Sequence, residues 1–121
     1  EYAAERRQFG VPIGSFQAVK HHLANAGLGV EFAEPLVRNA AHCLALGSAE
    51  AERTVAVSMA KQRASLAAVV ASEISLQCHG AIGYTVEADL HLFMKRAWAL
   101  AHSSGDADWH RRRVRSHLLG G

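Results

Sequence analysis

The chain has 121 residues, half of them hydrophobic, and a formal net charge of +2. That length holds one compact domain, the apolar half excludes a wholly disordered chain, and so small a charge gives no basis for nucleic-acid binding. The apolar set is mostly Ala, Val and Leu, with 7% aromatics and two prolines, which favours packed helices over sheet.

Glu1-Tyr2-Ala3-Ala4-Glu5-Arg6-Arg7 reads as the end of a helix already under way, so the chain is expected to be a fragment of a longer protein. Gly10 and Pro12 break that stub, and Ser15 offers an N-cap for the next helix. From there Phe16, Val19, Leu23, Ala26, Val30, Ala33, Val37, Ala40 and Leu44 recur at steps of three and four. They form one apolar seam that asks for helical neighbours. Pro35 removes the amide that would bond the Glu31 carbonyl, so a kink is expected without a break. Gly27 and Gly29 weaken the same stretch or admit another backbone closely.

Gly47 ends this helix, and Ser48 can cap the next, with Glu50 and Glu52 in a first turn that favours negative charge. Val55, Met59, Leu66, Val70 and Ile74 give a second seam, and Ala60, Ala64, Ala67, Ala68 and Ala71 permit tight packing to about His79. Gly80 and Gly83 end it. Thr85 can cap a third helix, with Leu90, Phe93, Met94 and Ala97 on one face. Ser103, Ser104 and Gly105 make the next turn, and Asp106 caps a short last helix bearing Trp109, Val114 and Leu118, which closes on Gly120 and Gly121. No strand-length alternation competes. The expected fold is all-α, an antiparallel up-down four-helix bundle with short turns.

No apolar run approaches membrane-spanning length and no signal-peptide layout is present, which predicts a cytoplasmic chain without a membrane span. Cys43 and Cys78 lie inside helical patterns with no Cys-x-x-Cys pairing, as buried thiols of a reducing compartment do. Arg111, Arg112, Arg113 and Arg115 read as a solvated C-terminal helix face. His21 and His22 point different ways, and Asp106 and His110 have no second imidazole beside them, so no metal site is expected. Glu87 and Asp89 are first-turn acids with no assigned role. Lys95 and Arg96 read as surface or subunit contacts.

Two segments carry candidate chemistry. Arg6 lies at a helix end, where its guanidinium can grip phosphate with a bidentate fork while Phe9 flanks a planar ring. A plain helix-end arginine with Phe9 folded into the core fits the spacing as well. Gln77 is polar at the end of an apolar helix, and Gly80, Ala81 and Gly83 let a backbone approach a ligand. The alternative is a simple helix-to-helix turn.

Taken together, Arg6-Arg7-Gln8-Phe9-Gly10-Val11-Pro12-Ile13 with Phe16-Gln17, and Gln77-Cys78-His79-Gly80-Ala81-Ile82-Gly83-Tyr84-Thr85, resemble the C-terminal domain of the flavin-dependent acyl-CoA dehydrogenases. The resemblance covers nearly the whole chain. It implies FAD as cofactor, with Arg6 reaching the pyrophosphate or adenosine part of a neighbouring subunit's flavin and Gln8, Phe9 and Gln17 lining the same groove. It implies that Gln77, Gly80 and Ala81 touch the adenosine diphosphate end. Ala81 stands where glycine is commoner, which implies a looser or shifted backbone contact.

For the whole enzyme the resemblance implies α,β-dehydrogenation of an acyl-CoA thioester, a carboxylate taking the α-proton as the β-hydrogen leaves as hydride to the flavin. It also implies a homo- or hetero-oligomer, dimer or tetramer, and an electron-acceptor flavoprotein as partner. The family's usual glutamate falls on Ser104, which cannot serve as a base of comparable strength, so the catalytic residue is unassigned. Asp106 and Asp108 lie close by, Asp106 as an expected N-cap. Either the base lies on a helix upstream of Arg6, or the chain is a subunit whose unlike partner carries it. The rival readings are a non-catalytic structural subunit and an acyl-CoA oxidase or monooxygenase-like flavoenzyme. The 121-residue chain alone is expected to be inactive.

Overall fold

Two long helices joined by a four-residue link form the frame of the computed structural model, which describes residues 1–120. In chain order there is a one-turn helix α1 (Tyr2–Glu5), strands β1 (Arg7–Gln8) and β2 (Val11–Pro12), and a 3-10 turn at Ile13–Ser15. Helices α2 (Gln17–Ala45) and α3 (Glu50–His79), a second 3-10 turn (Gly80–Tyr84), α4 (Leu90–His102) and α5 (Ala107–Leu119) follow. The protein is all-α apart from the two-residue ladder.

Helices α2 and α3 are antiparallel. Ala40 and Cys43 share a buried cluster with Ala56 and Ala60, a Cβ on Gly29 would lie 3.8 Å from that of Ala67, and Val19 lines one cleft with Gln77. Numbers fall along one helix as they rise along the other. The link turns at Gly47, whose φ of +63° is left-handed and suits glycine at a helix exit. Helix α3 is the hub, packing against α2, α4 and α5.

The buried face of α2 keeps the alanines of the expected seam and drops its larger residues. Ala33, Ala40 and Cys43 are buried and Ala26, Gly29 and Leu36 partly so, whereas Leu23, Val30, Val37 and Leu44 are exposed. On α3 the inner residues are Ala56, Ser58, Ala60, Ala67 and Ser72, with Met59, Leu66 and Val70 exposed. Both periodicities are helical. Close approach of two backbones selects the small-residue stripe and leaves the larger side chains on the flanks. Helix α2 runs unbroken through Pro35, as the continuous phase predicts.

Three expected caps are corrected. Ser15 Oγ donates to the Pro12 carbonyl (2.7 Å), and Phe16 takes the N-cap position of α2. Ala49, not Ser48, precedes α3. Thr85 Oγ1 donates to the Ile82 carbonyl (2.8 Å) and accepts from the Glu87 amide (3.3 Å), so it closes the 3-10 turn while α4 begins at Leu90. Hydroxyls with a nearby carbonyl take that local partner in place of the cap. Asp106 does cap α5, its Oδ1 accepting the Trp109 amide at 2.7 Å. Replacing Asp106 with Ala is expected to lower the melting temperature, and Asp106→Ser to restore most of it; thermal melts of the two variants check this.

Two further expectations change. Gln8 pairs with Val11 and Arg7 with Pro12 in a β-hairpin, where the sequence suggested only a broken helix. Its two-residue loop, Phe9 (φ +52°) and Gly10 (φ +82°), has positive φ at both positions, the conformation that matches strand twist in tight hairpins. Strands of two residues are too short to show alternation. In addition, Glu50–Tyr84 is long and apolar enough to cross a membrane by length and composition, contrary to the expectation that no run approaches that length. In this fold that helix is flanked by protein on the sides facing α2, α4 and α5.

Candidate functional site

The N-terminal signature is folded back on itself by its hairpin. Arg6 is the C-cap of α1, its amide donating to the Tyr2 carbonyl (2.8 Å), and its own carbonyl accepts the Ile13 amide at 2.8 Å. Ile13 is buried. Gly14 packs so closely that a Cβ there would lie 2.8 Å from the Ala3 carbonyl oxygen. The other signature closes on the last turn of α3. Gly80 (φ +61°) donates its amide to the Leu76 carbonyl, and buried Gly83 has no room for a side chain, since a Cβ would sit 2.9 Å from Leu76 Cδ1 and 3.0 Å from His79 Cβ.

The antiparallel hairpin of α2 and α3 brings these two ends together. Arg6, Gln8, Gln77, Gly80 and Ala81 line one cleft of about 350 Å³, with Tyr2, Phe16 and His79 among its aromatic walls. Among the described residues no carboxylate lines it, and Arg6 supplies the one formal charge. A Cβ at Gly80 would meet nothing within 4 Å, so backbone is open there. A cationic fork, two amide side chains and flat rings suit an anionic diphosphate attached to a heteroaromatic base. Phe9 and Gln17 stand outside the lining. Phe9 is 90% exposed at the hairpin tip, edge-on to Phe16 with centroids 6.3 Å apart, and Gln17 is exposed at the start of α2.

Tyr2 and His79 are cleft residues to which sequence reasoning gave no role. Their rings stack with centroids 4.1 Å apart at 16°, and Tyr2 Oη donates to the His79 carbonyl at 3.4 Å. The His79 Nδ1–H donates to the Ser75 carbonyl (2.7 Å). Cys78 also lines the cleft; burial pushes its thiol pKa up, which makes it a weak nucleophile.

Ser104 lies far from this cleft. It sits in the α4–α5 turn with φ +56°, followed by Gly105 at +94°. The turn is tied down from three sides. Lys61 Nζ donates to the Leu100 carbonyl (2.8 Å) and to Ser65 Oγ (2.8 Å), Ser103 Oγ donates to the same Leu100 carbonyl (3.0 Å), and His110 Nε2–H donates to the Ser104 carbonyl (3.0 Å). From Lys61 to His79 is about 27 Å along α3 at 1.5 Å per residue. Neither nearby carboxylate is poised as a base. The Trp109 amide holds Asp106 below the usual carboxylate range, Arg112 contributing and partial desolvation opposing. Asp108 pairs with Arg111 at 2.9 Å.

His110 is 3% exposed, and its Nδ1 has no hydrogen-bond partner. Burial lowers its pKa, Lys61 and Arg113 adding to the effect, against the Ser104 carbonyl and Asp106. The unfolded chain therefore takes up the proton first. Stability is fully present above the unfolded pKa of about 6.5 and is lost as pH falls from there towards the lowered native value. Urea midpoints are expected to be lower at pH 5 than at pH 7.5, and His110→Gln to flatten the difference. An unchanged pH dependence in that variant would remove His110 as the cause.

Residues 1–119 match the family described as acyl-CoA dehydrogenase, C-terminal domain. The chain belongs to that family. Among curated relatives of this acyl-CoA dehydrogenase domain, "Acyl-CoA dehydrogenase IpdE2" of Mycobacterium tuberculosis is 40% identical over 97 residues, 80% of this chain and 28% of the relative. The chain thus spans less than a third of that protein's length. A chain in the structure titled "Electron transferring flavoprotein of Acidaminococcus fermentans: Towards a mechanism of flavin-based electron bifurcation" superposes with a TM-score of 0.92 at 31% identity, over 99% of this chain and 31% of that one. Another, titled "Crystal structure of FAD-dependent dehydrogenase", gives 0.88 at 32% identity, over 98% and 31%.

Proposed function

We propose that this chain is the C-terminal helical domain of an FAD-dependent acyl-CoA dehydrogenase, and that its cleft grips the adenosine diphosphate end of a flavin carried by a neighbouring subunit. The observation that carries this reading is the meeting of Arg6 and Gln8 with Gln77, Gly80 and Ala81 in one carboxylate-free cleft. Arg6 would pair with the diphosphate, Gln8 and Gln77 would donate to its polar edges, and Gly80 and Ala81 would let the backbone come close. Phe9 and Gln17, exposed beside the cleft, would meet the flavin from the hairpin tip and the start of α2 once the second subunit docks. The flavin supplies hydride acceptance in α,β-dehydrogenation of an acyl-CoA thioester. This chain's part is to bind and orient it.

The exposed Leu23, Val30, Val37 and Leu44 of α2 support an oligomer, dimer or tetramer, in which the four long helices complete an antiparallel bundle. An electron-transferring flavoprotein is the proposed electron acceptor, and the cytoplasm the proposed location, in keeping with two free thiols. A second reading follows from Ser104. With no carboxylate at the usual position, the chain would be a supporting subunit whose unlike partner supplies the base, or the base would come from a helix upstream. The decisive experiment is to add acyl-CoA to the larger flavoprotein containing this domain, alone and with its unlike relatives, and follow bleaching of the flavin absorbance. Bleaching alone supports the catalytic reading, and bleaching only in the mixture supports the paired one. Stoichiometric FAD retained by the 121-residue chain itself would contradict a site shared between subunits.

A further inference from the structure

We propose that Tyr2 is a positioning residue for the cofactor cleft, a clasp that sets the spacing between its cationic side and its glycine backbone; this rests on the cleft being the diphosphate site. Helix α1 and the last turn of α3 meet at the cleft through side chains that are not neighbours in sequence. The aromatic contact of α1 to α3 is Tyr2. That ring lies flat on His79 (4.1 Å, 16°), and its hydroxyl reaches the His79 carbonyl at 3.4 Å. His79 is the last residue of α3 and the N-cap of the 3-10 turn that follows. Tyr2 thus reaches the carbonyl at this junction, immediately before Gly80, and stacks on the side chain that Ser75 already orients (2.7 Å).

Each half of the cleft is rigid within itself. The Arg6 carbonyl is bonded to Ile13, and Gly14 is packed on Ala3; Gly83 is packed on Leu76 and His79. The stack joins the two halves across 77 positions of sequence. Arg6, four residues after Tyr2, and Gly80, next to His79, inherit their separation from it. A ligand that must touch guanidinium and loop backbone together needs that separation fixed in advance.

The test uses the larger flavoprotein containing this domain, stripped of its flavin, and two variants, Tyr2→Ala and Tyr2→Phe. Amide hydrogen exchange is measured at Gly80 and, as reference, at Ala56 and Ala60. ADP is titrated to millimolar levels by amide chemical shifts. Tyr2→Ala is expected to speed exchange at Gly80 by about tenfold and to weaken ADP binding by a similar factor. The reference amides should change little. Tyr2→Phe keeps the stack and is expected to stay within about threefold of wild type. Gly80 exchange unchanged in Tyr2→Ala, or accelerated equally at Ala56 and Ala60, overturns the clasp. Wild-type binding of ADP with Tyr2→Ala indifferent overturns the clasp alone. No ADP response at Gly80 or Ala81 in wild type overturns the cofactor assignment and the clasp's role with it.

Discussion

Replacing Arg6 with Gln is expected to weaken binding of the ADP moiety by roughly 10- to 100-fold, the equivalent of one charge-assisted hydrogen-bond set of about 1.5–3 kcal/mol. The argument is electrostatic. Among the described residues Arg6 carries the one formal charge in the cleft lining, and no carboxylate there competes for it. Because Arg6 is exposed, its contribution is screened by salt, so wild-type affinity should fall between low and physiological ionic strength while the Arg6→Gln variant responds less. Arg6→Lys keeps the charge and loses the planar fork, and is expected to fall between the two. Titration of all three proteins at two salt concentrations checks this. An Arg6→Gln affinity within twofold of wild type would show that the cleft does not recognise an anion through this residue.

The largest effect on stability is expected from Gly105→Ala. Gly105 has φ +94°, a conformation that costs a side-chain-bearing residue about 1–3 kcal/mol. A Cβ there would also lie 2.7 Å from Trp109 Cε3 and 3.1 Å from His110 Nε2. Those atoms belong to rings held in place, His110 by its bond to the Ser104 carbonyl (3.0 Å) and Trp109 by the Arg113 guanidinium 5.1 Å from its centroid. Overpacking of this kind adds about 1–3 kcal/mol. Together they predict a melting temperature lower by roughly 10 °C for a chain of this size. Gly27→Ala is the control, since Gly27 lies within α2 and a Cβ there meets nothing within 4 Å; it is expected to be neutral or slightly stabilising. A Gly105→Ala melt equal to wild type would show that the turn relaxes freely, and would undercut its description as a tied junction.

The difference between these two glycines marks how much was legible in the residues themselves. Glycine punctuation located the ends of the long helices correctly at Gly47 and Gly80, because a left-handed φ is something only the local chain must satisfy. The Asp106 cap was legible for the same reason, being a bond between neighbours. Ser15 and Thr85 misled because each hydroxyl has two local choices, and each bonds a carbonyl three residues back, Pro12 and Ile82. The seam of α2 was half right: its Ala26, Ala33 and Ala40 turn inward, while its Leu23, Val30, Val37 and Leu44 do not. Leu23, Val30, Val37 and Leu44 share a helical phase as regular as that of Ala26, Ala33 and Ala40, and hydrophobicity favours the larger set. Which stripe faces α3 depends on how closely the two backbones approach, which no single helix encodes. The site divides along the same line. Arg6, Gln8, Gln77, Gly80 and Ala81 were nameable from their motifs, whereas the Tyr2–His79 stack joins residues 77 apart and leaves no local signal.

By itself, the sequence determined the helical class, the order and approximate limits of the four main helices, and the glycine-marked breaks between them. Short-range physics sets all of these: periodicity, backbone freedom at glycine, and the reach of a cap. Only the tertiary structure decided that the Arg6 and Gln77 segments line one cleft, and that Ser104 lies away from it. The reason is geometric. Helices of 29 and 30 residues, folded back through a four-residue link, return the end of α3 to the start of α2 and set Gln77 beside Arg6. The α4–α5 turn is anchored near the middle of α3 through Lys61, about 27 Å from the end that carries the cleft.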